Sequence, residues 1–316
     1  MNDVRPKIVD CTIRDGGLVN NWDFSEEFVK DLYENLNRAG VEYMEIGYKN
    51  SPELIESNGA GPWRFCDDQF LKKIIPEKKQ TKISALVDVG RVKEEDILPR
   101  EESVVDLIRV ACYMKDIEKG IALAEVFHER GYETSLNIMA VSNALQYQLE
   151  EGLQKVNDSH VDIVYVVDSF GSLFNRDIEF LIDVFKKHAP NKQLGIHTHN
   201  NLQLAFANTL LGKEKGVTYL DASLMGMGRA AGNCPTELLV GTLDNPHYHL
   251  EPVLQLLEKH MIPMREKVEW GYTIPYAIAG MLNEHPRTAM QLRASDQKDD
   301  YVQFYKGFMT VEKHSQ

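Results

Sequence analysis

The chain has 316 residues, 43% of them hydrophobic and 26% charged, which is the make-up of an ordinary globular protein with one large core or two modest ones. Its formal charge of −13, with no Lys/Arg run, excludes nucleic acid and acidic membrane surfaces as natural partners and points to small-molecule ligands. No apolar run approaches the roughly 20 residues that span a bilayer. Met1 to Pro6 lacks the pattern of a signal peptide, and Cys11, Cys66, Cys112 and Cys234 are scattered, so a reducing cytoplasm is the expected compartment.

Lys7 to Ile13 (KIVDCTI) reads as a strand, Arg14-Asp15-Gly16-Gly17 as the loop after it, and Ser25 opens an amphipathic helix to Arg38 with Glu26 and Glu27 in its first turn. Gly40 is a natural C-cap, and Val41 to Gly47 is the second strand. The stretch from Lys49 to Asp68 is too long for an ordinary connection and is a candidate functional loop. Further strand-like runs follow at Lys82 to Val89, Val104 to Cys112, Thr134 to Val141, Val161 to Asp168, Gln193 to His199 and Thr218 to Ser223. Helical segments separate them, clearest at Asp116 to Arg130, Asn143 to Asn157, Asp177 to His188 and Leu202 to Lys213, and weaker near Phe70 and Glu94.

Strands alternating with helices mean a parallel sheet covered by helices, and this many repeats over about 240 residues is the arithmetic of an α/β (β/α)8 TIM barrel. An open doubly wound sheet is the alternative, but Arg14-Asp15-Gly16-Gly17 is not the G-x-G-x-x-G turn that it would carry after its first strand. Residues 1–245 are therefore read as a barrel. Residues 246–316, with helical patterns at Glu251 to Lys267 and Pro275 to His285, are read as a helical extension packed on it.

Gly195-Ile196-His197-Thr198-His199-Asn200-Asn201 concentrates two imidazoles at the end of the seventh strand. Residues two apart in a strand share a face, so the two rings project together, either as metal ligands or as hydrogen-bonding groups in the exit loop. In a barrel the C-terminal strand ends form the reactive face. That face collects Arg14 and Asp15 after strand 1, Glu45 in strand 2, Asp168 and Ser169 after strand 6, the two histidines, and Ser223 to Asn233 after strand 8. Closure makes strands 7, 8 and 1 neighbours. Asp15 then approaches the histidines, and two imidazoles plus a carboxylate make a divalent-metal site with positions left for substrate and Asn233 as a further oxygen donor. Taken singly, Asp15 reads equally as a turn or cap residue and Arg14 as half of an ion pair.

Asp10-Cys11-Thr12-Ile13-Arg14-Asp15-Gly16-Gly17 resembles the D-x-T-x-R-D-G opening of the DRE-TIM metallolyases, the superfamily of HMG-CoA lyase, isopropylmalate and homocitrate synthases and 4-hydroxy-2-oxovalerate aldolase. Gly195 to Asn201 resembles its H-x-H-N motif, Asp168 to Ser172 its D-x-x-G segment, and Gly226 to Asn233 its glycine-rich loop ending in G-N. The resemblance implies that Asp15, His197 and His199, with Asn233, bind a divalent cation, Mn2+ or Mg2+ before Co2+ or Zn2+. It implies that Arg14 steadies an enolate oxygen and that Glu45 orients Arg14. Such a guanidinium is always charged, as neutralising an enolate requires. The resemblance is nearest to the 4-hydroxy-2-oxovalerate aldolase branch, and the tail segments Trp270 to Tyr276 and Asn283 to Pro286 are similar to that branch's C-terminal part.

The activity this implies is metal-dependent carbon–carbon lysis or formation of a 4-hydroxy-2-oxo acid through a pyruvate enolate. A Claisen-type condensation of an acyl-CoA with a 2-oxo acid, or a non-catalytic metabolite-binding barrel, are the alternatives. The chain departs from each branch: Leu18 stands where the aldolases carry an acid/base His, Gly17 where the synthases carry Glu, and Cys234 follows Asn233 where the lyases have a Cys ahead of that pair. Tyr48, Tyr113, Asp168 and His285 are thus the candidates for general base. Asn20, Tyr48, Asp168 and Ser223 are the expected substrate contacts, the aromatic tail either packs or covers the site, and a homodimer is the default expectation.

Overall fold

The computed structural model describes residues 5–312. Eight parallel strands close into a barrel in chain order, β8 returning to pair with β1. They are β1 (Lys7–Asp10), β2 (Tyr43–Tyr48), β3 (Lys82–Asp88), β4 (Leu107–Tyr113), β5 (Glu133–Met139), β6 (Ile163–Asp168), β7 (Gln193–Thr198) and β8 (Tyr219–Ala222). The expected TIM barrel is therefore the fold, and the open sheet is not.

The first loop differs from its sequence reading. β1 ends at Asp10, and the helix α1 (Thr12–Asn20) begins at once, so Arg14 and Asp15 sit in its first turn and not in a loop. Asp10 enforces this: one carboxylate oxygen accepts the Thr12 N–H at 3.0 Å and the other the Thr236 hydroxyl at 2.6 Å, which turns the chain at the strand end. The paired glycines are tolerated in the helix because other groups occupy the space of a side chain. A Cβ added at Gly17 would fall on the Trp22 indole.

The helix α2 (Glu26–Ala39) follows, capped as anticipated by the Ser25 hydroxyl on the Phe28 N–H and by left-handed Gly40 (φ 78°). Then come α3 (Asp68–Ile74), α4 (Ile117–Glu129), α5 (Gln146–Asn157), α6 (Asn175–His188), α7 (Ala205–Glu214) and α8 (Thr236–Thr242). The Lys49 to Asp68 stretch is packed into the fold: Trp63 is fully buried with its indole N–H on the Phe24 carbonyl, and Lys49 pairs with Asp68 at 2.5 Å. Near Glu94 there is only a 3-10 turn, Glu94–Asp96.

Beyond residue 246 the chain is helical, as read. α9 (Leu250–Leu256) runs through a π-turn into α10 (Ile262–Arg265), and α11 (Ile274–Met281), α12 (Arg287–Arg293) and α13 (Tyr301–Glu312) follow, the last two without a sequence forecast. The extension is tied to the reactive end of the barrel. The Trp270 indole donates to the Met225 carbonyl at 3.1 Å, Asn201 to the Tyr276 carbonyl at 3.1 Å, and Ser172 to Asn283 at 2.7 Å. No helix among the described residues is long and apolar enough to cross a membrane.

Inside the barrel, the period-2 alternation of strands stacks inward side chains in layers. Tyr43, Leu107 and Tyr219 form an apolar layer with Val9 and Ile163. Two residues further along the same strands come Glu45, Arg109 and Asp221, all fully buried or nearly so. Above them are His197 and the first turn of α1. A charged layer thus lies between the apolar plug and the reactive face.

Candidate metal centre

Every charge of the middle layer is paired. Arg109 donates to Asp221 at 2.5 Å, lies 3.0 Å from Glu45 Oε1, approaches the Cys11 thiol at 3.4 Å, and its guanidinium rests 4.4 Å above the Tyr165 ring. Glu45 holds the Arg14 Nε at 2.6 Å through its other oxygen, and Arg14 Nη1 reaches Asp15 Oδ1 at 2.5 Å. Asn233 Nδ2 donates to Asp15 Oδ2 at 2.7 Å, and His197 Nδ1 meets Asp221 Oδ2 at 2.9 Å. One chain of contacts therefore runs from Arg14 through Glu45, Arg109 and Asp221 to His197.

Asp15, His197 and His199 offer ligand atoms that all lie within 4.8 Å of one another, each residue buried. The Asp221 carboxylate holds a proton on His197 Nδ1, which turns Nε2 toward a ligand. Burial drives the His199 imidazole well below its usual range, into the neutral form a ligand needs. Burial alone would raise the Asp15 carboxyl, but the Arg14 guanidinium beside it holds it well below the usual carboxylate range. Among the buried side-chain atoms without a hydrogen-bond partner are His199 Nδ1 and Asn233 Oδ1, donors that a cation would satisfy. These residues fit a hard or borderline divalent ion. The overlapping set of Cys11, His197 and Asp221 does not: Asp221 is committed to Arg109 and His197, and burial keeps the Cys11 thiol protonated.

Gly228 makes this assembly possible, because a Cβ there would lie 2.5 Å from both Asp15 Oδ2 and Asn233 Nδ2. Beside the ligands a cavity of about 70 Å3 opens, room for one small metabolite at ~10–15 Å3 per displaced water. Arg14, Tyr48, Asp88, Asn137, Ser169 and Arg229 supply its polar wall, and Leu18, Leu86, Ala111, Met139 and Val167 its apolar one.

The sequence-derived residues divide at this cavity. Arg14, Asp15, Tyr48, His197 and His199 line it, while Glu45 and Asn233 stand directly behind Arg14 and Asp15. Asn20, Asp168 and Ser223 do not line it. Asn20 ends α1 and donates to the Asp23 carbonyl at 3.0 Å, closing the turn before α2. The Asp168 carboxylate turns back to accept the Ser172 and Leu173 N–H groups at 3.0 and 3.4 Å, and burial pushes it up to about 7. Ser223 is fully buried beneath the β8 loop. Of the base candidates, Tyr48 alone faces the cavity; Tyr113 is largely exposed, and His285 packs 5.5 Å from the Phe170 ring with burial pushing it down to about 4. The tail braces the β6 and β8 loops from outside and does not line the cavity. Cys234 is fully buried and its thiol is pushed up by burial, in keeping with a packing role.

Sequence reasoning passed over Arg109, Asp221, Asp88 and Arg229. Arg109 and Asp221 carried a readable signal, since a charged residue between the apolar neighbours of a strand (LIRVA, TYLDA) must point into the barrel and find a partner there.

The chain is a TIM-barrel enzyme of the metal-dependent carbon–carbon lyase type, aldolase-like, and its candidate site lies at the C-terminal face of the strands. The chain belongs to the HMGL-like family, whose model matches residues 5–258. It is 28% identical to an oxaloacetate decarboxylase of Mycobacterium tuberculosis over 75% of this chain and 70% of that protein. It is 26% identical to a 4-hydroxy-2-oxovalerate aldolase of Bacillus cereus over 96% of this chain and 92% of that one. Among solved structures, the N-terminal domain of a candidate aldolase from Bacteroides vulgatus superposes with a TM-score of 0.79 at 28% identity, covering 92% of this chain and 97% of that one. HMG-CoA lyase of Brucella melitensis shares the fold, with a TM-score of 0.67 at 18% identity over 83% of this chain and 99% of that one.

Proposed function

We propose that the chain makes or breaks the C3–C4 bond of a 4-hydroxy-2-oxo acid, one carbon removed from the 2-oxo carbonyl, by way of a pyruvate enolate. The observation that carries this reading is the convergence of Arg14, braced by Glu45, with Asp15, His197 and His199 on one buried cavity. Asp15, His197 and His199, with Asn233 beside them, would hold a divalent cation, Mn2+ or Mg2+ first, which supplies charge stabilisation for the 2-oxo and carboxylate oxygens when bound. Arg14 presents a fixed guanidinium to the enolate oxygen. Burial opposes its charge, but Glu45 and Asp15 outweigh that and hold it fully protonated. The charged layer beneath keeps Arg14 and His197 in place before substrate arrives.

Retro-aldol cleavage also needs an acceptor for the 4-hydroxyl proton. Leu18 on the cavity wall offers none, while Tyr48 and Asp88 do line it. Burial raises the Asp88 carboxyl, with Arg91, Arg14 and Arg229 pulling it down, which moves it toward the range of a general base. The Claisen alternative is weakened by Gly17, since the glutamate of the synthase motif has no room against Trp22.

The apolar residue at Leu18 favours a second reading, decarboxylation of a 2-oxo acid carrying a carboxylate on C3. There the C3–C4 bond breaks with its electron pair entering the enolate, carbon dioxide leaves, and C3 takes up a proton. No hydroxyl has to be deprotonated. The test of the common enolate step is exchange of the pyruvate methyl protons in deuterated water with Mn2+ or Mg2+ present. Exchange that needs the protein and the metal together supports the reading, and its absence overturns it.

A further inference from the structure

Arg229 is a cation that the enolate step does not use. It projects from the loop after β8, one residue beyond the glycine that packs on Asp15 and Asn233, and it lines the cavity beside His199. Nη2 donates to the Ser169 carbonyl at 2.8 Å and lies 3.5 Å from His199 Nε2, while its Nε is buried without a partner. Among the described residues, no carboxylate lies within 4.0 Å of this guanidinium.

The charges around it are otherwise accounted for. Arg14 and Arg109 oppose Asp15, Glu45 and Asp221, leaving one negative charge in excess, and Asp88 is balanced by Arg91 at 3.2 Å. A divalent cation turns that excess into one positive charge, and the carboxylate of one 2-oxo acid cancels it. The charge of Arg229 then remains over, in a small cavity where an unpaired charge is costly and a planar fork matches a carboxylate.

We infer that Arg229 receives a second carboxylate, so that the preferred substrates of this site are 2-oxo diacids and not 2-oxo monoacids. The inference rests on the 2-oxo acid reading above and narrows it. Arg229 acts as a specificity-determining residue: it holds the far end of the substrate opposite Arg14, and its free Nε–H supplies one arm of the contact.

The test is binding of 2-oxoglutarate and of 2-oxopentanoate, equal in chain length and unequal in charge, to the full chain loaded with Mn2+ and followed by calorimetry. The diacid is expected to bind at least tenfold tighter, about 1.4 kcal/mol. Arg229→Gln is expected to collapse that ratio towards one, and Arg229→Lys to keep part of it. Arg229→Lys also carries the test if the glutamine variant melts early, because a residue that only braces the Ser169 carbonyl would leave the ratio of the two affinities unchanged. Equal binding of both acids by the unaltered protein, or a ratio that survives in Arg229→Gln, overturns the inference. Failure of pyruvate exchange with the diacid preference intact removes the enolate reading and leaves Arg229 as the anchor of a diacid-binding site.

Discussion

Arg109→Met tests the charged layer. Arg109 is fully buried and neutralises two fully buried or nearly buried carboxylates, Asp221 at 2.5 Å and Glu45 at 3.0 Å. Methionine fills much of the space without the charge and leaves both carboxylates facing each other in the barrel interior. Breaking a buried pair in this way costs on the order of 3–5 kcal/mol. At ~2 °C per kcal/mol for a chain of this size, the melting temperature should fall by roughly 6–10 °C. The loss has a pH signature. Unpaired buried carboxyls titrate higher in the folded than in the unfolded protein, so the stability their protonated forms contribute is full at low pH and lost as pH rises through the folded value. The deficit of Arg109→Met should therefore grow from pH 5 to pH 8 in urea melts. A deficit below about 1 kcal/mol, or one that does not change with pH, would refute the view that this layer is a tightly paired set.

Asp221→Asn, which removes the anion that orients His197, should weaken Mn2+ binding about 10- to 100-fold by titration calorimetry while the fold persists. Arg14→Lys should slow pyruvate proton exchange by ~100-fold or more, since a point charge on a flexible stem replaces a fork fixed by Glu45. Gly17→Glu should cost on the order of 1–3 kcal/mol in urea melts through its clash with Trp22, and the double variant Gly17→Glu/Trp22→Ala should recover part of that loss; additivity of the two would sink the explanation. Asp168, raised to about 7 by burial against 3.8 for an ordinary Asp, contributes stability that is full below about pH 4 and lost as pH rises through about 7, so Asp168→Asn should flatten the stability profile across that window.

The barrel was legible because each strand is a short apolar run between capped helices, and that pattern survives without any knowledge of contacts. The convergence of Asp15, His197 and His199 was legible for the same reason: the two histidines stand two apart at the end of β7, and closure puts Asp15 beside them. What periodicity could not show is where a polar side chain turns after its strand ends. Asp168 ends β6 much as His199 follows the end of β7, yet two backbone N–H groups draw its carboxylate away from the cavity. Asn20 is separated from Asp15 by more than a turn of helix, which a loop reading of Arg14 to Gly17 hid. Arg229 was hidden in a glycine-rich loop whose path depends on Gly228 packing against Asp15 and Asn233, a tertiary contact that no local pattern encodes.

The most direct test is a crystal of the protein soaked with Mn2+ and oxalate, with anomalous scattering used to place the metal. The account predicts one strong peak ligated by Asp15, His197 and His199, with oxalate completing the coordination and the Arg14 guanidinium on its oxygen. A peak at other residues, or oxalate bound away from Arg14, would contradict it.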